Sequence, residues 1–203
     1  GKIFLNGATV TFKSPLPGRH NLYNLLAAAA VASVLGIGPE AIGECSPDLD
    51  LPPGRWERLE AGGVELINDA YNANPASMRA ALAAWLDQRV AGRRILVSGD
   101  MRELGAFTES AHREWGREAA EAGIDFLVFV GEFSRSASEG ALEADFPADK
   151  VFSAADHWSA ARILTGIMKE GDSVLFKGSR AVALEKIIEL LLPKKGEFLS
   201  ELK

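Results

Sequence analysis

The sequence predicts an α/β protein: a Rossmann-like, mostly parallel sheet with helices on both faces, preceded by a hairpin and one helix. Two observations carry this. From Val64 onward, short β-branched apolar runs alternate with helical patterns, the order that right-handed crossovers produce when they build a parallel sheet. Four of those runs break off into short polar, glycine-bearing stretches at residues 68–74, 98–102, 131–134 and 177–180. In an open parallel sheet, ligands bind outside the carboxyl ends of the strands, where backbone groups and helix N-termini converge. The residues with chemistry to offer are therefore expected on one rim.

The elements follow in order. Residues 2–5 and 8–12 are short apolar-rich runs joined by Asn6-Gly7, a dipeptide suited to a turn with two positive φ angles, and they predict a β-hairpin. A lone hairpin is marginal in water, so the chain is expected to begin inside a domain. A helix is expected over 21–35, with Leu22, Leu25, Leu26 and Ala29 as its buried stripe. A second short helix at 39–43 leads into a proline-rich, acidic stretch. The expected domain division is 1–46, a linker at 47–58, a Rossmann-like domain at 59–192 and a tail at 193–203.

Strands are expected at 64–68, 94–98, 125–130, 151–153 and 173–176, with helices between them ending near 89, 122, 143 and 169 and a last helix ending near 192. The last helix places Leu184, Ile187, Ile188 and Leu191 on one face. Asn74 before Pro75 marks a helix start, and Ser153 stands three residues before Asp156 in capping-box spacing.

Composition excludes several functions. With 203 residues, 47% hydrophobic and 25% charged, the chain has the balance of a soluble globular protein with one domain and part of another. A net charge of -6 with scattered Lys and Arg argues against nucleic acid and for small-molecule partners. The single Cys45 cannot form an internal disulfide, and the longest apolar run, residues 25–35, is too short to span a membrane. A reducing cytoplasm is the expected location.

The dinucleotide fingerprint G-x-G-x-x-G is absent after every strand, and the P-loop pattern is absent too, although residues 177–180 superficially resemble its end. His20, His112 and His157 show no metal-ligand spacing, so no metal site is expected in the chain. His112 is expected on an exposed helix face without a catalytic role. Trp56, Trp85, Trp115 and Trp158 are expected to be packing residues.

Five segments match one family in order and spacing. They are His20-Asn21 with Asn24 and the following alanines, Pro53-Gly54-Arg55, Asn68-Asp69-Ala70-Tyr71-Asn72-Ala73-Asn74-Pro75-Ala76-Ser77-Met78, Gly99-Asp100-Met101-Arg102-Glu103-Leu104-Gly105 and Lys177-Gly178-Ser179-Arg180. Together they resemble the Mur ligase family, in the branch that joins D-alanyl-D-alanine to UDP-N-acetylmuramoyl-tripeptide during peptidoglycan precursor synthesis. The likeness covers almost the whole chain. It implies the end of a central ATP-binding domain followed by the family's C-terminal domain. ATP and Mg2+ are the implied cofactors, with the P-loop and the metal ligands expected upstream of Gly1. No residue of the chain is then a certain catalytic group, and the isolated chain is expected to be inactive and monomeric. The alternatives are a MurE-like relative with another amino-acid substrate, or a non-catalytic Rossmann-like binding module.

The resemblance assigns roles to residues, each beside a plainer reading. Asn24 is expected to face adenine with Asn21 close by, since an amide pairs with a base edge; helix capping by Asn21 is the alternative. Arg55 is expected on phosphate or ribose oxygens, or else solvated. Asp69, at a strand's carboxyl end, is expected to accept the ribose hydroxyls, or to be a loop carboxylate or cap. Tyr71, Asn72 and Asn74 are expected near the transferred phosphoryl group and the incoming amine, with helix capping as Asn74's competing role. Arg102 and Glu103 are expected to grip the zwitterionic dipeptide, or to form a surface ion pair worth about 0.2–1 kcal/mol. Lys177, Ser179 and Arg180 are expected at its carboxylate, with capping by Ser179 and solvation of Arg180 as the alternatives.

Overall fold

The opening segment folds as expected but buries a different stripe. The structure, a computed structural model, describes residues 1–5 and 7–193; the Asn6 turn position and the tail from residue 194 lie outside the described residues. Two compact units form, one of Gly1–Pro52 with Ala80–Asp87, the other of Pro53–Arg79 with the described residues from Gln88 onward. In the first, β1 (Lys2–Leu5) and β2 (Ala8–Thr11) pair antiparallel in the register Leu5↔Ala8 and Lys2↔Thr11. Helices α1 (Arg19–Val34) and α2 (Pro39–Cys45) follow. Ile3, Val10 and Ala29 form the small core, with Leu5, Phe12, Leu25 and Ile42 packed against it.

Leu22 and Leu26, expected inside, are 43% and 42% exposed. The line that α1 buries is Asn21, Leu25 and Ala29, spaced four apart. A two-stranded hairpin and a seven-residue helix cover only a narrow strip of a 16-residue helix, so one row of side chains is shielded and its neighbours are not.

In the second unit, β3 (Glu57–Ala61), β4 (Val64–Asp69), β5 (Arg94–Gly99), β6 (Phe126–Val130), β7 (Val151–Ala154) and β8 (Ser173–Lys177) make one sheet in the order β3-β4-β8-β5-β6-β7. The pairings are parallel apart from β3, which lies antiparallel on β4. The sequence reading did not include β3, whose Glu-Arg-Leu-Glu-Ala alternates exposed and half-buried residues as an edge strand does. Gly62 and Gly63, with φ of 59° and 77°, supply the two positive φ angles that its tight turn into β4 requires.

The crossovers are α3 (Pro75–Leu86), α4 (Thr108–Glu121), α5 (Ser134–Glu143) and α6 (His157–Ile167), and α7 (Glu185–Leu191) follows the last strand. Side chains alternate between sheet faces, and this sorts the core. Val64, Leu66, Ile95, Val97, Val128, Val130, Val174 and Phe176 meet Ala160, Ala161 and Leu164 of α6 and the expected Leu184, Ile187, Ile188 and Leu191 stripe at α7. The opposite parity, Leu96, Leu127, Phe129 and Leu175, is equally buried on the other face. There Trp115 of α4 donates its indole N–H to Ser98 Oγ at 2.9 Å.

Helices α4 and α5 touch through glycines. A Cβ on Gly116 would lie 1.8 Å from the Ala137 carbonyl oxygen, and one on Gly140 would lie 1.9 Å from that of Arg113. Of the four tryptophans, Trp56, Trp85 and Trp115 are buried as expected, but Trp158 is 67% exposed. It stands at the second position of α6, off the row of Ala160, Ala161 and Leu164 that the helix buries. The cap of α6 is also displaced from the expected one. Asp156 Oδ1 accepts from Ser159 N and Ser159 Oγ accepts from Asp156 N, so the box runs 156–159, while Ser153 sits in β7 and bonds Ser138 Oγ.

At the amino ends of β5 and β8, buried Asp172 accepts from Arg93 N at 2.9 Å, Arg93 Nη2 at 2.6 Å and Lys169 N at 2.8 Å. Burial pushes its carboxyl up, but the Arg93 guanidinium and the two backbone N–H groups outweigh this and hold it below the ordinary carboxylate range. A depressed folded value means stability that is present above the unfolded pKa of about 4 and is lost as pH falls through the folded value.

Three outcomes follow from this packing. Asp172→Asn should cost about 1–3 kcal/mol at pH 7, and its deficit in urea denaturation should shrink steadily once the pH drops below about 4. Gly116→Ala should force α4 from α5 and cost about 1–3 kcal/mol. Gly166→Ala in α6, where an added Cβ meets nothing within 4 Å, should leave the melting temperature unchanged or raise it.

Candidate functional site

Register brings the polar strand ends together. With β8 between β4 and β5, Asp69 lies beside Lys177 and Lys177 beside Ser98. Asp69 and Lys177 share the strand parity opposite to the α6–α7 core, so their side chains meet on one face of the sheet. The loops after β4, β5 and β8 form a continuous rim.

The loop after β4 is shaped by its own amides. Asn68 Oδ1 accepts from Ala70 N, and its Nδ2 donates to Glu57 Oε2 at 3.0 Å. Tyr71 N donates to Gly54 O at 2.9 Å, which ties the turn carrying Arg55 to this loop. The Arg55 guanidinium sits 4.3 Å above the Tyr71 ring, a cation–π contact between two exposed side chains. Asn72 Oδ1 accepts from Ala73 N. Asn74 caps α3: its Oδ1 accepts from Ser77 N at 2.9 Å while Ser77 Oγ accepts from Asn74 N at 3.0 Å. The helix cap that competes with a ligand role for Asn74 is present.

After β5 comes a buried carboxylate that the sequence reading did not single out. Asp100 is 1% exposed. Its Oδ2 accepts from Glu132 N at 3.0 Å and its Oδ1 from Phe133 N at 3.1 Å, so it occupies the N-terminal end of α5. Arg102 reaches Asp100 Oδ2 at 3.4 Å and Glu132 Oε2 at 3.5 Å. Glu103 is exposed with φ of 65° and has no ion-pair partner among the described residues; the surface pair expected between Arg102 and Glu103 does not form.

His112, expected on an exposed face, is buried. Its Nε2 accepts from Met101 N at 2.9 Å and its Nδ1 donates to Thr108 O at 2.6 Å, with the ring stacked on Phe133. The helical period turns it inward because the β5 loop folds back over the start of α4 and needs an acceptor for its buried N–H. The sequence signal for Asp100 is an acid directly after a buried strand, the same signal that marked Asp69.

The loop after β8 stitches the others. Lys177 Nζ lies 2.9 Å from Asp69 Oδ2 and donates to Asn72 O at 2.7 Å and Asp69 O at 3.2 Å. Ser179 N donates to Asp100 O at 3.0 Å; its Oγ accepts from Arg102 N at 3.0 Å and reaches Ala73 O at 3.4 Å. Ser179 therefore makes no side-chain cap on the short 3-10 turn at Arg180–Val182, the alternative considered for it, but joins two loops. Arg180 is exposed, 3.9 Å from Glu185.

Asn21 and Asn24 lie in the first unit. Asn21 Nδ2 donates to Pro17 O at 2.7 Å and its Oδ1 accepts from Asn24 Nδ2 at 3.2 Å. Helix α1 starts at Arg19 with no side-chain cap, so the capping alternative for Asn21 is not what forms. The pairing leaves Asn24 Oδ1 without a partner among the described residues.

A parallel sheet whose central strands end in interlocked polar loops defines an α/β ligand-binding domain. Residues 54–180 match the family described as Mur ligase, glutamate ligase domain, and the chain belongs to the Mur ligase family. It is similar to the UDP-N-acetylmuramoyl-tripeptide--D-alanyl-D-alanine ligase of Bacillus subtilis, with 36% identity over 193 residues covering 93% of this chain and 41% of that protein. The protein of the same name from Escherichia coli is 37% identical over 180 residues, covering 87% and 38%. A crystal structure of MurF from Acinetobacter baumannii aligns with a TM-score of 0.85 and 32% identity, over 94% of this chain and 41% of that one. MurF ligase from Thermotoga maritima in complex with ADP aligns with a TM-score of 0.73 and 27% identity, over 94% and 42%. The chain thus spans about two fifths of the length of these relatives.

The cap at α3 yields a direct check. Asn74→Ala should lower stability by about 1 kcal/mol in denaturant titration, with Ser77→Ala costing a similar amount and the pair costing less than the sum.

Proposed function

We propose that this chain is the carboxyl-side part of an ATP-dependent amide ligase that joins D-alanyl-D-alanine to UDP-N-acetylmuramoyl-tripeptide in the cytoplasm. In this reading residues 1–46 are the end of a central ATP-binding domain, 47–58 a linker and 59–192 the C-terminal domain. The observation that carries it is the gathering of the β4, β5 and β8 loops on one rim, in a chain similar over 93% of its length to a protein bearing that name.

The peptide carboxylate takes the γ-phosphoryl group of ATP to give an acyl phosphate and ADP; the dipeptide amine then attacks the carbonyl carbon, phosphate leaves, and the amine's proton goes to solvent. Such chemistry is mostly positioning and charge stabilisation. Asp69 suits a nucleotide ribose, because one carboxylate oxygen is held by Lys177 and Oδ1 has no protein partner among the described residues. Arg55 over Tyr71 offers a cation at the loop that follows Asp69. Asn24, steadied by Asn21, offers an amide edge to adenine. Arg102, Glu103 and Arg180 are exposed charges suited to a zwitterionic dipeptide. Lys177 and Ser179 spend their hydrogen-bonding groups on neighbouring loops, and Asn74 spends its side chain on a cap, so in this reading the three shape the rim.

In this reading Mg2+ is held elsewhere in the full-length ligase; among the described residues no group of three or more His, Cys, Asp or Glu suited to a metal occurs. No helix among them is long and apolar enough to cross a membrane. Small molecules are the proposed partners of a monomeric ligase, with no nucleic acid or membrane involved.

The decisive assay uses the full-length protein with ATP, Mg2+ and UDP-N-acetylmuramoyl-tripeptide. Phosphate release should require D-alanyl-D-alanine and should not be supported by single amino acids such as lysine or diaminopimelate; the reverse preference would overturn the reading. Arg102→Ala should raise the KM for the dipeptide about tenfold or more while the KM for ATP stays within about twofold.

A further inference from the structure

Lys177 looks from sequence like an anion-binding cation, and its surroundings exclude that use. The side chain is almost wholly buried, and an ammonium has three N–H donors. Asp69 Oδ2, Asn72 O and Asp69 O account for all three at 2.9, 2.7 and 3.2 Å. None remains for a substrate carboxylate. A buried ion pair costs desolvation and contributes little net stability, so its presence at a strand end calls for another account.

The geometry supplies one. The terminal torsion of an aspartate is broad, so a carboxylate left alone swings between orientations. At Asp69 one oxygen is pinned by an ammonium that is itself fixed to two backbone carbonyls of the same loop. The other oxygen is thereby aimed, and no protein group among the described residues competes for it. We propose that Lys177 is a positioning residue for the nucleotide: it orients the Asp69 carboxylate towards the ribose hydroxyls and holds the Asn72 carbonyl so that the loop keeps the shape this requires. The proposal rests on reading Asp69 as the ribose acceptor. It places Lys177 on the nucleotide side of the rim and removes it from the dipeptide side.

The test is a double-mutant cycle read by calorimetry of ADP binding to the full-length protein, with KM for D-alanyl-D-alanine measured alongside. Lys177→Met should weaken ADP binding about tenfold in the wild-type background and less than about twofold when Asp69→Asn is already present. The KM for the dipeptide should stay within about twofold. Equal weakening in both backgrounds, unchanged ADP affinity, or a KM rise confined to the dipeptide would overturn it. Should Lys177→Met fail to fold, Lys177→Gln replaces it, keeping amide donors for the two carbonyls without the charge, and the same comparison decides. Asp69→Asn by itself tests the underlying reading. If that substitution leaves ADP affinity unchanged, the ribose assignment falls and the proposal with it; if it weakens binding and Lys177→Met adds independently, the positioning role alone falls.

Discussion

An ammonium buried at the carboxyl end of a central strand, with a carboxylate and two carbonyls around it, is the constraint on which the rim of this protein depends. Lys177 comes from the last strand in the chain, Asp69 from the first parallel one, and β8 must insert between β4 and β5 for them to meet. Three loops, the first and last of them more than a hundred residues apart, then become one surface.

The same insertion lets Ser179 and Asp100 work as a second knot. Ser179 links the backbone of the β5 loop to that of the β4 loop, and Asp100 binds the first amides of the β6–α5 junction. His112 supplies the acceptor that the buried Met101 N–H requires. Most polar groups in these loops satisfy one another. The exposed charges Arg55, Arg102, Glu103 and Arg180 stand on this interlocked framework.

Away from the rim, the second unit is held by ordinary means. Strand alternation divides the apolar side chains between two helical layers, glycines at 116 and 140 let α4 and α5 approach to backbone contact, and Asp172 with Arg93 closes the opposite end of the sheet. The first unit is different. Its helix α1 leaves Leu22, Tyr23, Leu26, Val31, Val34 and Leu35 exposed, because hairpin and short helix shield a single row of it.

Sequence alone determined the alternation of strands and helices, the loops that carry polar chemistry, the α7 stripe at Leu184, Ile187, Ile188 and Leu191, and the family. Each is local, set by periods of 2 and 3.6 residues or by contiguous motifs. Only tertiary structure decided the rest. The edge strand at Glu57–Ala61, whose first two residues read as linker, is a strand only because β4 gives it a partner, and the buried row of α1 is chosen by what covers it. Whether Lys177 offers its charge to a ligand or spends it on Asp69 depends on which strand lies alongside. That is a fact of strand order, and it leaves no trace in the spacing of residues along the chain.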